Sequence, residues 1–166
     1  MKNLCFAALL LCATAGYAMP IASSARSMIP SEIQQVIGVD YRALKDSPTA
    51  QALKEKVLPE NLKELETALK GIGIDSDHDL DQLNFASFRT EKKGIQTIGV
   101  AQGSFSAKVV LKKMKLKKIT GAKYGTSVIY PMDNGLVMAF LDDNTLAFGE
   151  SASLHSALDT LSLIHI

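Results

Sequence analysis

Ser127-Val128-Ile129-Tyr130-Pro131-Met132, Asp133-Asn134-Gly135, Leu136-Val137-Met138-Ala139-Phe140-Leu141, Asp142-Asp143-Asn144, Thr145-Leu146-Ala147-Phe148 is the stretch that decides the fold. Three runs rich in β-branched and apolar residues are separated by two short polar turns. Asn-Gly is a strong hairpin signal because both residues accept the left-handed conformations that tight turns need. Strands joined this closely must run antiparallel. The middle run, Leu136 to Leu141, is apolar at every position. Such a strand is expected to be buried on both faces. Helices would cover one face, and the other needs more helices, a partner subunit or a further segment of chain.

Upstream, Leu83 to Phe88 alternates around Phe85, and Ile95 to Gln102 follows the turn residues Lys92-Lys93-Gly94. The pair reads as another hairpin. Between the two strand groups, Ser106 to Met114 places Ala107, Val110, Leu111 and Met114 on one helical face. Leu58, Leu62, Leu65, Leu69 and Ile72 recur at helical spacing, Pro59 opens that helix, and Gly71 and Gly73 end it. Ser47-Pro48 starts an earlier helix carrying Ala50, Leu53 and Val57. Val36 to Tyr41 reads as the first strand, and Ser151 to Leu158 as a closing helix capped by Ser151. The predicted order is β-α-α-β-β-α-β-β-β-α: an α+β domain with an antiparallel sheet of five to six strands and helices packed on it.

The N-terminus reads as an export signal. Lys2 is followed by an uncharged apolar run from Leu4 to Ala15, then Gly16-Tyr17-Ala18 with small residues at the cleavage positions. Residues 1–18 are thus expected to be removed, 19–31 to be a flexible lead-in, and 32–160 to form the domain. The apolar run is short for a membrane-spanning helix. Both cysteines, Cys5 and Cys12, lie in the leader. The mature domain would therefore hold together without disulfides and offer neither a thiol nucleophile nor a thiolate metal site. Removing Lys2 leaves 17 basic and 17 acidic residues, so the mature chain is formally neutral. A neutral chain has no global field for nucleic acid, which is not expected as a partner. The last residues, Leu161 to Ile166, resemble a translated sequencing adapter. On that reading the natural protein continues past Thr160 and this chain is a fragment.

Three local features could carry chemistry. Asp75, Asp77, Asp79 and Asp81 alternate, and several oxygens at such spacing can hold calcium. The run fails as an EF-hand: Leu80 stands where glycine is needed and Ala86 where a closing glutamate belongs. A solvated, capped turn is the competing reading. Lys108, Lys112, Lys113, Lys115, Lys117 and Lys118 could meet phosphates or anionic lipid, but they also suit the solvated face of a helix. His78 and His155 have no catalytic partner nearby in sequence, and no nucleophile elbow, phosphate loop or His-Glu-x-x-His motif is present.

Val39-Asp40, Ser47-Pro48, the Gly71 to Asp81 segment, Gly103-Ser104-Phe105 and Leu141-Asp142-Asp143 leading to Phe148-Gly149 together resemble a loosely defined group of uncharacterised exported bacterial proteins. The resemblance spans most of residues 30–158 and rests on caps and turns, so it implies a shared fold and brings no catalytic residues. The expectation is an exported, non-enzymatic binding or scaffolding domain, periplasmic or secreted, whose partner is a protein or envelope component. The alternatives are a periplasmic hydrolase-type enzyme completed by a missing C-terminal region, and a calcium-stabilised envelope protein.

Overall fold

The computed structural model describes residues 33–45, 47–49, 52, 60–90 and 94–164. The leader, the lead-in, most of the helix expected from Ser47-Pro48, Leu58, the Lys92-Lys93 turn and His165 lie outside the described residues. The first strand, β1, spans Ile33–Asp40 and passes into a short helix, α1, Tyr41–Lys45. Helix α2 (Glu60–Ile72) and the single turn α3 (Ser76–Asp79) precede the long hairpin β2 (Leu80–Thr90) and β3 (Gly94–Gly103). Helix α4 (Ala107–Leu116) leads to β4 (Ala122–Tyr124), β5 (Ser127–Pro131), a 3₁₀ turn (Asp133–Gly135), β6 (Val137–Phe140) and β7 (Thr145–Gly149). The last helix, α5, is Ser151–Ile164.

All seven strands form one antiparallel sheet in the order β1-β2-β3-β7-β6-β5-β4. The α+β class with an antiparallel sheet holds. The sheet has seven strands among the described residues, one more than the six in the predicted order: β4 pairs with β5 across the turn at Gly125-Thr126. It is Ala-Lys-Tyr, three residues long, too short for its alternation to register as a sequence pattern. Two meanders, β1–β3 and β4–β7, meet at the β3–β7 pair, where Ile98 to Gln102 face Gly149 to Thr145.

The fully apolar strand β6 fills the place that its composition demands. Met138 and Phe140 join the front core with Leu83, Leu146 and Phe148, under Leu65, Leu69 and Ile72 of α2 and Val110 and Met114 of α4. Val137 and Ala139 join the back core with Ile98 and Ala147, under Leu154, Ala157 and Leu158 of α5. The second face is therefore covered by α5, which begins at Ser151 and runs six residues beyond the expected Leu158. Ser151 is its first residue, and the carbonyl of Glu150 accepts its first turn from the Leu154 N–H.

Two helix ends repeat one device. At α2, the Gly73 N–H donates to the Lys70 carbonyl and the Ile74 N–H to the Leu69 carbonyl, each at 3.0 Å. At α4, the Lys118 N–H donates to Lys115 and the Ile119 N–H to Met114, again at 3.0 Å. This is the Schellman closure, whose turning residue is left-handed. Gly73 takes φ +92 freely, but Lys118 takes φ 58 with a Cβ in the way. Lys118→Gly is expected to raise the unfolding free energy by roughly 0.5 kcal/mol or a little more in urea titrations, since relief of that clash outweighs the extra chain entropy of glycine.

Tyr41 ties the β1 end of the sheet to α2. Its ring is buried, and its hydroxyl donates to Glu66 Oε1 at 2.8 Å. Burial first, and the Glu66 carboxylate second, hold the phenol neutral far into alkali. An unfolded tyrosine ionises near pH 10. The raised native value means that the neutral-phenol contribution is complete below that pH and is lost as pH climbs above it. The denaturation midpoint should fall from about pH 10 upward, and the fall should be shallower in Tyr41→Phe. Identical alkaline slopes in the two proteins would remove the role given to this phenol.

Candidate functional site

The front face of the sheet lacks cover at the start of β3. Strand β3 pairs with β7 only through Ile98 to Gln102, so its first residues project past the end of β7. The front-facing positions of β3 there are the exposed Ile95, then Thr97 and Gly99, both small. The tip of the Phe148 ring occupies the space that a Cβ at Gly99 would fill, and the ring meets Phe85 edge-on at 6.0 Å. A half-open cleft of about 350 Å³ remains above them. Leu65 and Leu136 wall it, and the 3₁₀ turn brings Asn134 to its rim with φ 61. Glu64 of α2 and Glu150 before α5 stand at the mouth. No Lys, Arg or His lines it among the described residues. Behind it, the Ser153 hydroxyl donates to Gln96 Oε1 at 3.1 Å in a buried bond that fixes α5 to β3.

An apolar floor with a few polar groups at the rim is the usual chemistry of a small-ligand pocket, and the volume falls in the usual range. Sequence reading missed this site because its parts come from α2, β2, β3, the 133–135 turn and the β7–α5 junction. One signal was present: from Thr97 through Gly99 to Ala101, one face of β3 has no tall side chain.

The four aspartates named as possible calcium ligands lie in and beside α3 and at the start of β2. Asp75 caps α3, its Oδ1 accepting the Asp77 N–H at 3.0 Å, and the Asp75 N–H donates to Asp79 Oδ2 at 2.9 Å. His78 Nδ1 lies 3.2 Å from Asp75 Oδ2. The Asp77 N–H, then His78, pull the Asp75 carboxyl below the usual range. Asp81 accepts from Arg42 Nη2 at 2.7 Å, and that guanidinium likewise lowers its carboxyl. Asp77 is exposed at the start of α3. Among the described residues no group of three or more His, Cys, Asp or Glu side chains is arranged to hold a metal ion.

His155 has a neighbour that the sequence did not reveal. Its ring stacks on Tyr124 of β4 at 4.1 Å and 32°. The Tyr124 hydroxyl donates to Asp159 Oδ1 at 2.8 Å, and this bond raises the phenol's pKa. Ser151, His155 and Asp159 stand four residues apart along α5, a spacing visible in the sequence. The carboxylate serves the phenol, however, so the group works as a brace between α5 and the edge hairpin.

The lysine run divides in two. Lys113 Nζ donates to the Gly73 carbonyl at 3.0 Å and Lys117 Nζ to the Gly71 carbonyl at 2.6 Å. These two cations satisfy the exposed C-terminal carbonyls of α2, where the helix dipole favours positive charge. Lys108, Lys112, Lys115 and Lys118 stay exposed.

Comparison with protein-family models, with curated proteins and with solved structures finds no match. No helix among the described residues is long and apolar enough to cross a membrane.

Proposed function

We propose that this chain is an exported, non-enzymatic binding domain whose site is the front cleft, and that the cleft takes a small organic cation with an apolar body. The observation that carries this reading is the pairing of the Phe85–Phe148 floor with two carboxylates, Glu64 and Glu150, at the mouth. An apolar group on the floor leaves water, and an ammonium group at the rim meets opposite charge. Export rests on Lys2, the Leu4 to Ala15 run and Gly16-Tyr17-Ala18. The cysteine-free domain suits an oxidising compartment, since it has no thiol to mispair.

Benzylammonium and benzoate, similar in size and opposite in charge, test the site by NMR titration. Benzylammonium should shift the amides of Thr97, Gly99 and Glu150 with a Kd on the order of 1 mM, as suits so small a ligand. Benzoate should bind more weakly, and Thr97→Trp, which fills the cleft, should abolish both. Equal binding of the two probes, or shifts unaffected by Thr97→Trp, would sink the assignment.

A further inference from the structure

The outer face of α4 has a composition that neither the core nor the α2 clamp uses. At about 100° per residue, Ala107, Val110 and Met114 turn inward and are buried. The opposite arc carries Lys115, Lys108 and Lys112 side by side, then Leu116 and Val109, then Lys113. Leu116 is 79% exposed, more than any other large apolar side chain among the described residues, and Val109 is 53% exposed. No acidic residue occurs between Gly103 and Thr120. Asp143, at the N-terminal end of the helix, is engaged by the Ser106 hydroxyl at 3.2 Å. The Lys113 and Lys117 bonds to α2 hold α4 in place, so this face is presented on a fixed support.

Lysines alone would suit any polyanion. Two large apolar side chains beside them would not, because a dissolved phosphate or a nucleic-acid backbone offers nothing to bury them against. A bilayer surface offers both: headgroup phosphates for the ammonium groups and an acyl boundary for the apolar crest. Lysine stems can lie along such a boundary while their charges stay among the headgroups. The absence of arginine and aromatic residues from this face also argues against base or backbone readout of nucleic acid. We propose that the outer face of α4 docks on an anionic lipid bilayer, with Val109 and Leu116 at the interface and Lys108, Lys112 and Lys115 on the headgroups. The contact is peripheral, and because the mature chain as read is formally neutral, attraction comes from this patch alone.

Co-sedimentation of the full chain with phosphatidylglycerol-rich vesicles, against pure phosphatidylcholine vesicles, tests the proposal. Partitioning should be confined to the anionic vesicles, apart from a background that the apolar leader contributes equally in every variant. Each of Lys108→Ala, Lys112→Ala and Lys115→Ala should lower the anionic component about fivefold. Leu116→Ser should lower it about tenfold, with the circular dichroism of the protein unchanged. Soluble polyphosphate is the counter-probe. Loss of polyphosphate binding in the lysine variants but not in Leu116→Ser, with vesicle binding also indifferent to Leu116→Ser, overturns the bilayer in favour of a plain anion patch. Vesicle binding that the lysine variants leave unchanged overturns it as well.

Discussion

Replacing Gly103 by alanine is expected to remove about 3 kcal/mol or more of unfolding free energy, enough to consume much of the margin of a domain this size. The residue closes β3 and is buried, and a Cβ there would overlap the carbonyl oxygen of Asp79, with the Asp79 carbonyl carbon and Leu80 Cα close behind. Those are backbone atoms held by backbone bonds. The Ser104 N–H donates to that same Asp79 oxygen at 2.8 Å, the Gly103 N–H donates to Asn144 at 3.2 Å, and Gly103 is the register partner of Leu80. No flexible side chain is available to yield, so the two chains must part. Gly38→Ala is the control, because its new Cβ would meet only the side-chain oxygen of Asn84, which can rotate away. Urea unfolding of both variants measures the difference. A Gly103→Ala protein within about 1 kcal/mol of the parent would show that this crossing is looser than described.

Phe148→Ala should cost about 3–5 kcal/mol, as for other buried phenylalanines. The ring is part of the front core, stands edge-on to Phe85, and fills the place above Gly99. The two positions are therefore coupled, and the coupling has a sign. Gly99→Ala alone drives a Cβ into the ring and should destabilise strongly. In the Phe148→Ala background the same methyl enters vacated space and should be close to neutral. A double-mutant cycle should return a coupling on the order of 2 kcal/mol. Additive effects would mean that the ring does not rest on Gly99, and the floor assigned to the cleft would go with it.

The fold class was legible because its determinants are local. The Asn134-Gly135 turn and the two-sided apolar run at Val137 to Phe140 specify antiparallel strands wherever they sit. Leu65, Leu69 and Ile72 with Gly73 specify α2 and its end, and Val110 and Met114 specify the inner face of α4. Strand β1 was read as Val36 to Tyr41 and spans Ile33–Asp40, because an edge strand with exposed apolar residues on both faces shows no clean alternation. The joining of the two meanders through β3 and β7 was not legible, since pairing between distant strands leaves no local pattern. The same reason hid the cleft, whose walls are separate elements, and the contact of Tyr124 with His155 and Asp159. The aspartate run was open to two readings from sequence, a chelating loop and a solvated, capped turn. Its alternation fits either, and in the structure one oxygen each of Asp75 and Asp79 accepts a backbone N–H while Asp81 meets Arg42.

The β3–β7 pair also sets an order of events during synthesis. A ribosome releases β1, β2 and β3 first, and that ribbon has a long open flank until Thr145–Gly149 has emerged. Its back surface waits longer still, for Leu154, Ala157 and Leu158. A nascent chain halted before those residues would expose a sticky margin to its neighbours on the same messenger. Closure thus has to wait for translation, and a holding factor acting on the unfinished chain would guard mainly that flank of β3.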